Sequence, residues 1–137
     1  MSGVKAQWVG QKINMETGRF EVNWEEFESK FNEKTRIFLF NNPGNPLGKV
    51  FTRSEIMKIR EILLKWPNVV VLADEVYDNF IYDDNEFIRF ASIPDMWERT
   101  ISVISAGKLF SITGWRIGYG IGPEYLIKYL NGWSVWM

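Results

Sequence analysis

Five uncharged residues in succession, Val69-Val70-Val71-Leu72-Ala73, run directly into Asp74-Glu75. A half-exposed strand alternates apolar and polar side chains, so a run that does not alternate asks to be covered on both faces, as inside a parallel sheet. Such a strand needs parallel neighbours and flanking helices. The upstream sequence offers both. Ile37-Phe38-Leu39-Phe40 is a second continuous apolar run, read as another strand covered on both faces. Between the two runs, Thr52 and Glu55 have capping-box spacing, Ile56, Ile59, Leu63 and Leu64 supply a buried helical stripe, and Pro67 stops the helix. Strand, helix, strand in this order is a βαβ unit.

Further along, Ile101 to Ile104 predicts a third strand leading into Ser105-Ala106-Gly107-Lys108, and Trp115 to Ile121 a fourth. The short stretch between them is near the lower limit for a helical crossover, so the fourth strand is expected to run antiparallel. Pro123 stands where a helix can begin. Nearer the N-terminus, Val4 to Val9 is a strand candidate, and Trp24, Phe27 and Phe31 space out a short amphipathic helix. The expected fold class is α/β, with three layers and a mostly parallel sheet carrying one antiparallel strand. No repeat or Gly/Ser linker divides the chain, so one domain is expected over residues 1–137.

Composition narrows the chemistry. The 137 residues include no cysteine and no histidine, which removes disulfides, thiolate catalysis, imidazole bases and the usual zinc ligands. Acid–base work must fall to Lys, Asp, Glu or Tyr. Sixteen basic residues against seventeen acidic ones give a net charge of -1, without the positive field that nucleic-acid binding requires. No apolar run is long enough to span a membrane, and Met1 to Gln11 resembles neither a signal peptide nor a presequence, so a soluble, cytoplasmic protein is expected. Aromatic residues make up 16% of the chain, with seven Trp, unusually abundant for its length; they read either as a large core or as rings some of which face another domain or a partner.

In parallel sheets, ligands bind beyond the carboxyl ends of the strands. Asn45, Asp74 and the pair Ser105 and Lys108 each follow such an end, so one crevice is expected to receive them all. Lys becomes a nucleophile when desolvated or when it forms an imine. Ala106-Gly107 before Lys108 lets a bulky group approach the backbone. Ser105 and Arg116 are the hydroxyl and guanidinium types that hold a phosphate dianion. A carboxylate at Asp74 could pair with a pyridinium nitrogen. At roughly 3 Å and an effective dielectric near 20, such a pair is worth about 5 kcal/mol before desolvation, about four pKa units. That is the duty of the acidic residue in a pyridoxal phosphate site.

Four ordered motifs, Asn45-Pro46-Leu47-Gly48, Asp74-Glu75-Val76-Tyr77, Ser105-Ala106-Gly107-Lys108 and Gly114-Trp115-Arg116-Ile117-Gly118, together resemble the fold-type I pyridoxal phosphate aminotransferases of class I and II. Pro94-Asp95-Met96-Trp97-Glu98-Arg99-Thr100 resembles the kynurenine aminotransferase branch, which includes glutamine transaminase K and cysteine-S-conjugate β-lyase. The resemblance runs from Phe20 to Leu130. It implies that Lys108 forms the Schiff base with pyridoxal 5'-phosphate and moves the substrate proton, that Asp74 holds the ring nitrogen protonated, and that Asn45 and Tyr77 hydrogen-bond the phenolic oxygen. Ser105 and Arg116 would hold the phosphate. The implied reaction is ping-pong transamination between a kynurenine-like, glutamine-like or aromatic amino acid and a 2-oxo acid, in a homodimer, without nucleic acid, membrane or metal. Cysteine-S-conjugate β-elimination is the alternative chemistry; a non-catalytic fragment with a binding role only is the alternative class.

The same resemblance implies part of a large, cofactor-binding domain, with 131–137 an atypical tail. The family's ring-stacking aromatic and its carboxylate-clamping arginine have no counterpart in the motifs, so independent turnover by this chain is not expected. Tyr77 could equally pack beneath the sheet. Gly118-Tyr119-Gly120-Ile121-Gly122 lacks the last glycine of a dinucleotide fingerprint, and Gly107-Lys108 lacks the Ser/Thr and upstream glycine of a Walker A loop. Asp83, Asp84 and Glu86 read as a solvated turn, since their spacing does not fit an EF-hand.

Overall fold

The computed structural model describes residues 3–134, with the side chains of 131–134 excluded; the readings that fall on residues 135–137, the end of the atypical tail, lie outside the described residues. Two compact units divide the chain, Met1–Thr35 and Arg36–Met137.

In the first unit, β1 (Gln11–Ile13) and β2 (Phe20–Val22) form an antiparallel hairpin, with Lys12 opposite Glu21. The turn is built on Asn14, whose Oδ1 accepts from the amides of Glu16 and Thr17 while its carbonyl accepts from Gly18 N at 2.8 Å. Gly18 has φ +67°, a conformation that glycine adopts without a steric penalty. Val4 to Val9, expected as a strand, has no regular secondary structure; Gly10 separates it from the short strand that does pair. Helix α1 (Trp24–Ser29) begins at Asn23, whose side chain accepts from Glu26 N. Phe27 and Phe31 meet edge to face at 5.2 Å, and Phe31 lies just past the helix it was expected to belong to.

The second unit contains a four-stranded sheet of order β3-β4-β5-β6: β3 (Ile37–Asn41), β4 (Val70–Asp74), β5 (Thr100–Ile104) and β6 (Tyr119–Ile121). The first three strands are parallel, with Asn41 opposite Asp74 and Asp74 opposite Val103. β6 returns antiparallel, with Ile104 opposite Tyr119, as its short connection requires. Between β3 and β4, α2 (Arg53–Leu64) carries the capping box: the Thr52 hydroxyl accepts from Glu55 N and the Glu55 carboxylate accepts from Thr52 N. A four-residue helix, α3 (Ala106–Leu109), follows β5, and α4 (Glu124–Ser134) follows β6, with Pro123 immediately before it.

The core of this unit gathers Phe40, Phe51, Ile56, Ile59, Ile62, Leu63, Val71, Ala73, Phe90 and Met96. Phe40 is its hinge, 5.0 Å from both the Phe51 and Phe90 rings. Arg99, just before β5, donates from Nε to Val69 O at 2.8 Å and from its terminal nitrogens to Leu63 O and Trp66 O. One guanidinium thereby closes the carboxyl end of α2, where helix carbonyls have no helical partner.

Several expectations change. β3 is covered on one face only: Ile37 is 63% and Leu39 58% exposed, while Phe40 is buried. Ile62 takes the buried place expected of Leu64, because the stripe turns with the 3.6-residue period and leaves Leu64 on the outer side. The fourth strand begins at Tyr119 instead of Trp115; Thr113–Trp115 is a 3-10 turn, and Arg116 follows it with φ +55° in the left-handed region. Arg116 is therefore a loop residue and not a strand residue. No described helix is long and apolar enough to cross a membrane.

Candidate active site

The carboxyl ends of β3, β4 and β5 and the start of β6 lie along one edge of the sheet, and the six residues expected at the site all stand there. Asn41, the last residue of β3, organises this edge. Its Nδ2 donates to Asp74 O at 3.1 Å, and its Oδ1 accepts from Asn45 N at 2.7 Å. The Asn42 amide donates to the same Asp74 carbonyl at 3.1 Å, and the buried Asn42 Oδ1 accepts from Phe51 N at 3.0 Å. The Asn45 loop is thus tied to the end of β4 through side-chain amides, which a loop of this kind needs when ladder partners run out.

Three of the expected residues meet. Asn45 Nδ2 donates to the Tyr77 hydroxyl at 3.2 Å, and Lys108 Nζ stands 5.5 Å from the centre of the Tyr77 ring. Tyr77 is therefore at the site edge and not under the sheet. Ser105 caps α3, its Oγ accepting from Lys108 N at 3.2 Å, which fixes where the lysine leaves the backbone. Gly107 is buried, and a Cβ there would stand 3.3 Å from Thr113 Cα, so the lysine loop and the turn that precedes Arg116 approach closely only because position 107 is glycine. Gly107 N also donates to Ile117 O at 3.2 Å. The Arg116 guanidinium is exposed and reaches back to Thr113 O at 3.4 Å; it makes no hydrogen bond to Ser105.

Asp74 contributes an unsatisfied group. Its Oδ1 is buried with no donor among the described residues. A buried carboxylate oxygen without a partner is costly and asks for an explanation, of which a group bound at the site is one. Lys108 forms no ion pair among the described residues. An amine with no ion pair, a phenol ring next to it and an orphaned carboxylate oxygen at the end of the neighbouring strand fit a cofactor that is electrophilic at one end and carries a protonated ring nitrogen at the other. Among the described residues there is no group of three or more acidic side chains that could hold a metal ion. A shallow cleft lined by Trp97, Glu98, Pro123, Tyr125 and Lys128 lies at the opposite, amino end of β5 and contains none of these groups.

Sequence reasoning missed the carboxylate next to Asp74. Glu75 is wholly buried; its Oε1 accepts from Phe90 N at 2.8 Å and its Oε2 from Arg89 Nη1 at 2.7 Å. Burial pushes its carboxyl above the usual range, against the opposing pull of the Phe90 amide and the Arg89 guanidinium. Arg89 also donates to Asp78 Oδ2 at 2.8 Å. Burial alone would lower the guanidinium, but the two carboxylates prevail and raise it. Asn41 was missed as well, since nothing in its own neighbours marks an asparagine at a strand end as a brace for the next strand.

Comparison with known proteins gives the following. Residues 5–135 match the family described as aminotransferase class I and II. The chain is 48% identical over 107 residues to kynurenine–oxoglutarate transaminase 3 of Homo sapiens, which covers 78% of this chain and 23% of that protein. It is 47% identical over 109 residues to the Dictyostelium discoideum kynurenine–oxoglutarate transaminase, covering 79% and 25%. The chain thus spans about a quarter of the length of the curated relatives it matches. Among solved structures, the Pyrococcus horikoshii aromatic aminotransferase superposes with TM-score 0.76 at 37% identity, over 82% of this chain and 30% of that one. Cystalysin from Treponema denticola, which contains pyridoxal 5'-phosphate, superposes with TM-score 0.73 at 27% identity, over 82% and 28%.

Proposed function

Because this chain belongs to the class I and II aminotransferase family, we propose that its sheet edge is the pyridoxal 5'-phosphate centre of a transaminase working between an amino acid, kynurenine-like, glutamine-like or aromatic, and a 2-oxo acid. The observation that carries this reading is the meeting of Asn45, Tyr77 and Lys108 at the end of the sheet where β4 leaves the Oδ1 of Asp74 without a partner. When bound, the cofactor would supply an electron sink that makes the substrate Cα–H acidic.

The residues of this chain have separable tasks. Lys108 Nζ would hold the cofactor covalently before substrate arrives and, once freed, would take the proton from substrate Cα and return it elsewhere. Its α3 position, capped by Ser105, keeps the amine near the Tyr77 ring while leaving it rotatable. Asp74, at the end of a strand tied on both sides by ladders, would hold the proton on the ring nitrogen. Asn45 and Tyr77, already joined to each other, would donate to the phenolic oxygen. Ser105 and Arg116 would bind the phosphate; for Arg116 this requires its guanidinium to exchange the Thr113 carbonyl, at the long distance of 3.4 Å, for a charged partner. A homodimeric assembly and a cytoplasmic location belong to the same reading and rest on the family resemblance.

The test is spectroscopic. Adding pyridoxal phosphate should produce a protein-dependent near-visible absorbance band that Lys108→Ala abolishes; identical spectra from the two proteins would end the proposal. Product analysis separates the chemistries, since transamination yields the oxo acid of the amino donor and β-elimination from a cysteine conjugate yields pyruvate, ammonia and a thiol.

A further inference from the structure

We propose that Arg89 is a positioning residue for Tyr77: by bridging Glu75 and Asp78 it fixes the turn that holds the Tyr77 ring against Lys108 and its hydroxyl against Asn45. Its consequence for cofactor chemistry rests on the function proposed above; the geometric claim does not.

Tyr77 lies in a short irregular segment directly after β4, between the two carboxylates that Arg89 binds. On one side, Glu75 N donates to Val103 O at 3.0 Å, so the first residue of the segment is fixed to β5. The Glu75 side chain then turns inward, is 0% exposed, and meets Arg89 Nη1 at 2.7 Å. On the other side, Arg89 Nη2 meets Asp78 at 2.8 Å. The guanidinium is planar and presents its nitrogens in a fixed fork, so binding two carboxylates at once sets the distance between them. Val76 and Tyr77 are the two residues between those fixed points. Within the segment two backbone bonds are made, Asp78 N to Glu75 O at 3.1 Å and Phe80 N to Tyr77 O at 2.8 Å, and the Tyr77 ring meets Phe80 edge-on at 6.1 Å; these contacts lie inside the segment, whereas the Arg89 bridge ties it to residues further along the chain. Arg89 is itself braced, its guanidinium 5.3 Å from the Phe87 ring centre and the neighbouring Phe90 amide on the same Glu75 carboxylate. It touches neither Lys108 nor Asn45 and acts through the turn.

The whole chain is the material for the test, in wild-type form and as Asp78→Asn, Arg89→Lys and Arg89→Met. Asp78→Asn leaves the buried Glu75 paired and so folds even where Arg89→Met does not. Lysine keeps the charge at position 89 but cannot span both carboxylates. Three quantities are measured: amide hydrogen exchange, the ring carbon resonances of Tyr77 in tyrosine-labelled protein (assigned with Tyr77→Phe), and the rate of borohydride-trapped pyridoxal phosphate attachment at Lys108. The expected result is exchange at Asp78 and Phe80 faster by about tenfold, the scale of one charge-assisted hydrogen bond. The α2 amides should not change. The Tyr77 resonances should move toward those of exposed tyrosines, and trapping should slow severalfold. Unchanged Tyr77 resonances in both Asp78→Asn and Arg89→Lys would overturn the proposal, and so would a uniform loss of protection that includes α2, which would make Arg89 a general stabiliser. A wild-type chain that takes up no cofactor would refute the transaminase reading instead, with the Tyr77 resonances still deciding the role of Arg89.

Discussion

Asp74→Asn should separate stability from function at the site. In the cofactor-free chain, Asp74 Oδ1 is buried without a donor, while the Asp74 carbonyl is doubly bound by Asn41 Nδ2 and Asn42 N. The backbone is therefore held whatever the side chain is, and the substitution acts on the head group alone. An unsatisfied buried polar group costs about 1–3 kcal/mol, with charged groups at the upper end. Replacing the carboxylate by a neutral amide of the same shape should recover about 1 kcal/mol, a rise of about 4–8 °C in Tm for a unit of this size. With cofactor the order reverses. A ligand at a hundred times its Kd stabilises by about 2.7 kcal/mol. Losing one charge-assisted contact weakens binding by about 10–100-fold, which leaves about 0.4–1.4 kcal/mol at the same concentration. Melting curves by circular dichroism, with and without pyridoxal phosphate, measure both. A variant that melts below wild type without cofactor, and gains as much as wild type with it, would refute the assignment of Asp74 as an unpartnered cofactor ligand.

Other consequences are structural. A Cβ on Gly122 would stand 2.7 Å from the Thr100 carbonyl, whereas one on Gly120 would meet the mobile end of Leu130 at 2.8 Å; in urea titrations Gly122→Ala should cost about 1–3 kcal/mol and Gly120→Ala much less. Arg99→Met strips the guanidinium from the Leu63, Trp66 and Val69 carbonyls and should destabilise by about 2–4 kcal/mol in the same assay. Glu75 binds its proton more tightly in the folded chain than in the unfolded one, so its contribution to stability falls as pH rises from the ordinary carboxylate range through the raised folded value; urea midpoints from about pH 4 to 7 should show that slope in wild type and not in Glu75→Gln. The exposed Ile37, Leu39, Phe110 and Trp115 should drive self-association on sizing at micromolar concentration, where a clean cooperative monomer would contradict the reading of these surfaces.

What could be read from the sequence was what local chemistry dictates. The Thr52–Glu55 box and the short connection before β6 each have one good structural solution, and each takes it; the Val69–Ala73 run becomes a strand with parallel neighbours on both sides, but only Val71 and Ala73 of β4 are fully buried while Val70 and Leu72 are half-buried. Positions that depend on distant partners were not legible. Ile37 and Leu39 look buried in an apolar run, yet their exposure depends on what lies over β3 and not on their own neighbours. Arg116 looks like a strand residue because Trp115 to Ile121 is rich in strand formers; the 3-10 turn before it and its positive φ leave no mark on that local pattern. At the site, Asn45, Asp74, Ser105 and Lys108 could be placed at one edge from strand order alone, whereas Tyr77 entered only through the family resemblance. Asn41, Glu75 and Arg89 could not, since a turn-forming Asn and a Glu beside an Asp carry no signal until β4 and the residues near Phe90 are brought together.

The central claim concerns one amine among the nine lysines of this chain. The direct measurement is to incubate the protein with stoichiometric pyridoxal phosphate, reduce with borohydride, digest, and locate the added mass. The account predicts attachment at Lys108 and a fall in that attachment in Asp74→Asn. Attachment spread over the other lysines in proportion to their exposure, and indifferent to residue 74, would contradict it.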